Sequence, residues 1–185
     1  MKGLKLFKFN LGFKPKPRNI EQHDVFFAIG RNMSDCKKSI LDFIGLSENE
    51  VHIDTCTTIE QVGGYVIEIV PLGTSVAEQK LELYFINLGG YTEGEYREFH
   101  KQLLIPAYSL DEAKTKAKKD IFMQEHAGIK GATPHVDDKF VIDAEVEDFF
   151  KLDFPGYEIK LIPNPGVLDS EPIITGYYKL SRLKE

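Results

Sequence analysis

The chain repeats itself. Moved by 77 positions, Leu6-Phe7-Lys8-Phe9-Asn10-Leu11-Gly12 falls on Leu83-Tyr84-Phe85-Ile86-Asn87-Leu88-Gly89, and the Asn-Leu-Gly ending is identical. The same shift lays His23 on His100, Asn32 on Ser109, Asp35 on Glu112 and Ile44 on Ile121. After an insertion near Gly128-Ile129-Lys130-Gly131, His52-Ile53-Asp54 meets His135-Val136-Asp137. After a second insertion, Gly64-Tyr65 through Pro71 meets Gly156-Tyr157 through Pro163. One such match arises easily by chance, whereas an ordered series of them does not. The expected architecture is therefore a tandem duplication of a unit of roughly 75 to 85 residues.

Each unit reads as strand, strand, helix, strand, strand. Apolar runs at Leu4 to Leu11 and Leu81 to Leu88 end in glycine turns, and second strands follow near His23 to Ile29 and His100 to Ala107. Asn32 and Ser109 are cap residues, and the acids Asp35 and Glu112 stand three positions later, where a carboxylate reaches back to the cap. Met33, Cys36, Ile40 and Ile44 form one apolar helical stripe, and Leu110, Ala113, Ala117 and Ile121 form the other. A single stripe means that each helix packs on one surface. The implied class is α+β, two strand-strand-helix-strand-strand repeats of mainly antiparallel sheet with helices on one face. The repeats span residues 1–76 and 77–166, and a tail at 167–185 holds a β-rich segment, Pro172 to Leu180, suited to one extra edge strand.

These pieces resemble a bacterial family known as domain of unknown function 1543. The first half carries the resemblance through His23-Asp24, Gly30, Asp35, His52-Ile53-Asp54 and Gly64-Tyr65. The second half carries it more loosely, through Asn87-Leu88-Gly89-Gly90, His100, His135-Val136-Asp137 and Gly156-Tyr157. Together they cover about residues 4 to 163, as two tandem copies. Lys101 replaces Asp24 in the second copy. The resemblance implies the domain and no activity, cofactor or catalytic residue.

Composition narrows the function. The formal charge of −6 argues against general nucleic-acid binding, which needs cations to displace counterions. Lys2, Lys5, Lys8, Lys14, Lys16 and Arg18 form a local exception, read as a lysine-protected strand edge and a basic loop. No apolar run approaches the about 20 residues of a membrane helix, and the first residues lack a signal-peptide pattern, so the expected setting is the bacterial cytoplasm. Cys36 and Cys56 form no CxxC pair and read as small core residues, with a thiol partnered by His23 or His52 as the reactive alternative. Neither GxxxxGK[ST], GxSxG nor HExxH occurs. The stretch Gly89 to Gly94 reads as a turn, and Asp143, Glu145, Glu147 and Asp148 as a solvated loop or edge.

The chemistry, if any, lies with the histidines. Each unit offers two at matched places, His23 with His52 and His100 with His135, and Asp24, Asp54, Asp137 and Asp138 stand beside them. Histidine and aspartate suit zinc, manganese or iron, and a histidine oriented by a carboxylate is an acid–base pair. The structural alternative is a joint: each ring donates to a nearby carbonyl, and each aspartate accepts backbone N–H groups of the same turn. The sequence favours the joint and, with it, a non-enzymatic binding module that needs no cofactor. Its expected partners are a protein or small-molecule ligand and a second copy of the chain in a homodimer, with no membrane. The competing expectation is a small metal-dependent or histidine-based enzyme using His23, Asp24, His52 and Asp54. Its mark would be convergence of His23 and His52. Metal ligation would fall first to those two histidines, and binding in the second copy to His100, His135 and Asp137.

Overall fold

In a computed structural model of the chain, residues 3–74, 81–91, 94–119, 149–166 and 173–183 are described. Contacts divide the chain into two compact units. The first comprises Met1–Thr74, Phe154–Glu158 and Ile162–Glu185; the second comprises Ser75–Asp153 and Ile159–Leu161.

The first unit is built on strand β1 (Lys5–Phe13), flanked by β2 (Gln22–Gly30) and β3 (Val51–Ile59), both antiparallel to it. The tail supplies strand β10 (Ile173–Lys179), which pairs antiparallel with β3 and completes a four-stranded sheet of order β10-β3-β1-β2. Alternation divides β1 between two faces. Phe7, Phe9 and Leu11 enter a core with Ile53 and Cys56 of β3, Ile40 of helix α1 (Lys37–Ile44) and Leu180 from the tail. Lys8, Asn10 and Gly12 stand on the other face. The apolar stripe expected of the first helix is the one that packs, since Met33, Cys36, Ile40 and Ile44 all join this core.

The helix starts differently from the sequence expectation. A 3-10 turn, Ser34–Cys36, precedes α1. Asn32 Oδ1 accepts from the Asp35 N–H at 3.0 Å, as a cap does, but Asp35 Oδ2 reaches one residue past the cap to accept from the Arg31 N–H at 3.0 Å. The bond from Arg31 and its guanidinium hold the Asp35 carboxyl below its ordinary range. A tight opening turn of this kind is common at helix N-termini. The second helix, α2 (Leu110–Ala117), repeats the device: Ser109 Oγ accepts from the Glu112 N–H at 3.2 Å, and Glu112 accepts from the Tyr108 N–H at 2.8 Å.

Beyond β3, the short β4 (Gln61–Val62) turns into β5 (Tyr65–Pro71) through Gly63 and Gly64. Both have positive φ, 53° and 81°, which a two-residue hairpin of matching twist requires. Strand β9 (Tyr157–Pro163) lies next in this small sheet. Its flanks bracket β5 through Leu72 N–H to Gly156 carbonyl at 3.1 Å and Asn164 N–H to Gly64 carbonyl at 2.7 Å.

The second unit holds a three-stranded sheet of order β7-β6-β8: β6 (Glu82–Tyr91) lies between β7 (Glu98–Ala107) and β8 (Phe149–Lys151), antiparallel to both. Tyr84, Ile86 and Leu88 pack against Ala113 and Ala117 of α2. Ile121, expected to end that stripe, lies outside the described residues, as do the acidic segment Asp143 to Asp148 and the His135-Val136-Asp137 segment with Asp138. The ladders whose register is set among the described residues are antiparallel, so the fold is mainly antiparallel β with two helices, an α+β layout.

Candidate functional site

Gly12 organises the site. It pairs with His23 of β2 on one side and His52 of β3 on the other, so three consecutive strands carry His, Gly and His in one row. The row lies on the face opposite α1. Because Gly12 has no side chain, the His52 ring can lie over its backbone. A Cβ at Gly12 would stand 2.2 Å from His52 Nε2 and 3.0 Å from Asp54 Oδ2.

Asp54 arrives through a bulge. The register of β1 against β3 passes from Asn10↔Thr55 to Leu11↔Ile53 and leaves Asp54 unpaired in the ladder. The β10 ladder is irregular at the same level, passing from Thr175↔Thr55 to Tyr178↔Ile53. An extra residue of this kind re-aims side chains, and bulges recur beside functional sites. Here Asp54 turns Oδ1 to His52 Nε2 at 3.2 Å and Oδ2 to His23 Nε2 at 3.1 Å. Glu21 closes the group from β2's lead-in, with Oε1 3.5 Å from His52 Nε2 and Oε2 3.6 Å from His23 Nε2. Tyr177 of β10 covers the His52 ring, with centroids 4.0 Å apart and planes 30° apart.

The four groups differ in access. The His52 side chain is 5% exposed and Asp54 27%, whereas His23 and Glu21 are 49% and 44% exposed. The short separations are ion-pair distances, yet His52 Nε2 and Asp54 Oδ2 are both buried without an aligned hydrogen-bond partner. Distance alone does not make a hydrogen bond; the donor must also point at the acceptor. A buried polar atom left in this state costs about 1–3 kcal/mol. These atoms therefore lack the local backbone bonds that a joint would give them. The ring is buried, as a joint requires, but its Nε2 faces carboxylates.

Of the expected residues, His23, His52 and Asp54 come together and Asp24 does not. Asp24 pairs with Leu11, a core-facing position, and its carboxylate accepts from the Val25 N–H at 2.7 Å. The thiol alternative also fails on geometry. Cys36 and Cys56 are 0% and 2% exposed and sit in the core on the α1 side. Burial, followed by the nearby Cys56 and Asp35 charges, pushes the Cys36 thiol up to about 12, and burial pushes Cys56 up to about 11. Neither is a thiolate near neutral pH. Of the basic N-terminal residues, Lys5 lies 3.7 Å from Glu60, and burial pushes the Lys8 ammonium down.

In the second unit, Gly89 pairs with His100 as Gly12 does with His23. His100 Nδ1 lies 3.1 Å from Asn87 Nδ2, and its Nε2 lies 3.6 Å from Glu98 Oε2. Among the described residues, no group of three or more His, Cys, Asp or Glu side chains could hold a metal ion. A separate cavity of about 240 Å³ lies at the other end of β1, lined mainly by Leu4, Leu6, Ile59, Val66 and Ile69.

Glu21, Gly12 and Tyr177 were not among the candidate site residues expected from the sequence. Glu21 had a signal, because the shift that lays His23 on His100 also lays Glu21 on Glu98. Gly12 had the recurrence of Gly89. Tyr177 had none, since its contact depends on how the tail pairs with β3.

Residues 18–69 match a family described as Domain of Unknown Function (DUF1543). The match takes in Glu21, His23, His52 and Asp54 as one domain, narrower than the expected two copies. No curated protein matches the chain. Among solved structures, a protein Il1583 from Idiomarina loihiensis is similar, with 23% identity over 96% of this chain and 97% of that one and a TM-score of 0.61. That likeness shows a shared fold.

Proposed function

We propose that the chain is a binding module and that its recognition point is the histidine–carboxylate group over Gly12. The observation that carries the reading is the pair of buried, unbonded atoms, His52 Nε2 and Asp54 Oδ2, beside two half-exposed groups able to turn, Glu21 and His23. Buried polar atoms without partners call for a ligand, a water or a strain role. One-sided exposure, with a buried half on β3 and a half-exposed half on β2 and its lead-in, suits contact with something from solvent. A tandem origin of the two units is part of the same reading. Its support is the parallel pairing of Gly12 with His23 and Gly89 with His100, with Glu21 and Glu98 two residues before each histidine.

One observation favours acid–base chemistry as the second reading: half-exposed His23 stands 3.1 Å from a carboxylate that could orient it. Binding ranks first because no nucleophile accompanies this pair in the group described.

The test follows the imidazole ¹H–¹⁵N correlations of His23 and His52 while zinc chloride, inorganic phosphate and methylamine are added in turn. A binding point predicts that at least one probe moves both rings together and loses its effect in Glu21→Gln. Rings unmoved by all three would contradict it.

A further inference from the structure

We infer that the group over Gly12 binds a primary ammonium group, held by Glu21, Asp54 and His52 Nε2 beside Tyr177. The inference rests on the reading of this group as a binding point and names the chemical class of its ligand.

Charge is the first argument. Glu21 and Asp54 bring two carboxylates to one place, and among the described residues their ion-pair partners are the rings of His23 and His52. The other ion-paired acids described on these strands and α1 face a lysine or an arginine. Asp35 meets Arg31, Asp42 meets Lys38, Glu48 meets Lys37 and Glu60 meets Lys5. Unmet acceptors are the second argument. The His52 side chain is 5% exposed, and its Nε2 and the buried Asp54 Oδ2 have no aligned partner. Nε2 faces Asp54 Oδ1 at 3.2 Å and Glu21 Oε1 at 3.5 Å. Ionised carboxylates and the bare nitrogen of a neutral imidazole only accept, whereas an ammonium group has three donors and no acceptor.

Geometry is the third. The four nitrogen–oxygen contacts run to four different carboxylate oxygens, and among the described residues no group of three or more His, Cys, Asp or Glu side chains could hold a metal ion. An ammonium group asks for less convergence, since its acceptors stand about 2.7–2.9 Å away along separate N–H directions. Glu21, half-exposed, stands on the side that meets solvent. Tyr177 lies on His52 and is itself 64% exposed, so it offers ring surface to the cation and its alkyl stem.

The experiment follows the imidazole correlations of His23 and His52 in the full chain at about pH 8, where a free imidazole is uncharged and an alkyl ammonium keeps its charge. Methylamine and Nα-acetyl-lysine methylamide carry the ammonium group, tetramethylammonium carries the charge without an N–H, and phosphate is an anion. The expected result is that an ammonium probe moves both rings saturably, in the millimolar range that so small a ligand reaches at best, and that tetramethylammonium does not. Response to the lysine derivative alone makes the natural source a protein side chain, and response to methylamine as well makes the head group sufficient. Glu21→Gln and Asp54→Asn should each weaken binding about tenfold. Asp42→Asn removes an equal charge from α1, across the sheet, and should leave it unchanged. Circular dichroism checks that each variant folds, and the half-exposed Glu21 carries the test if Asp54→Asn does not. Rings unmoved by both ammonium probes, moved equally by tetramethylammonium, or moved as readily in Glu21→Gln overturn the inference. If phosphate moves the rings and the ammonium probes do not, the ammonium falls and the binding point stands. If no probe moves them, both fall.

Discussion

Phe9→Ala is expected to lower the free energy of unfolding by about 3–5 kcal/mol, the usual cost of emptying a buried aromatic site. Phe9 is 0% exposed and lies at the middle of β1, paired with Phe26 on one side and Cys56 on the other. Its ring stacks on Phe7 at 5.8 Å and belongs to the core that α1 and Leu180 cover. Three sequence-distant segments share this core: the first strand, the first helix and the tail. Their packing can collapse only partly into the space left. Urea denaturation followed by far-ultraviolet circular dichroism measures the effect. A loss below about 1 kcal/mol would place Phe9 outside the core. Because Phe9 and Gly12 stand on opposite faces of β1, the folded fraction of this variant should keep its response at the histidines.

Gly12→Ala should do the reverse, disturbing the site with a smaller effect on the core. The new methyl would stand 2.2 Å from His52 Nε2 and 2.6 Å from its Cε1. An exposed imidazole would simply swing aside. His52 cannot do so within its slot, because it is buried between the sheet and Tyr177. The ring must leave, and with it the shared contact to Asp54. We expect a loss of about 1–3 kcal/mol in stability, as overpacking of a fitted site brings. Any ligand response at His23 and His52 should also disappear. The double variant Gly12→Ala with His52→Ala removes the collision, so its loss of stability should be smaller than the sum of the two single losses. Strict additivity would mean that the glycine is required by the backbone and not by the histidine.

The mainly antiparallel strands and the two helices were legible because local rules and the long-range fold agree. The alternation of Phe7, Phe9 and Leu11 marks a strand with one buried face, and the matched caps at Asn32 and Ser109 mark where the helices open. The convergence of His23 with His52 and Asp54 was legible only as an option. It depends on β1 lying between β2 and β3 with Gly12 in register with both histidines, which the sequence pattern does not state. The bulge at Asp54 carries no residue signature, since it is fixed by how Ile53 and Thr55 pair with β1. Asp24 illustrates the same limit from the other side. It is adjacent to His23 in sequence, and strand alternation alone sends it away from the group. Tyr177 could not be foreseen because it comes from the tail, more than a hundred residues from the ring it covers.

The most direct measurement follows the imidazole ¹H–¹⁵N correlations of His23 and His52 as each small probe is added to the full chain and to Glu21→Gln. The account predicts that at least one probe moves both rings together and that Glu21→Gln abolishes the response. Rings that no probe moves would contradict it and make the paired histidines a joint of the fold.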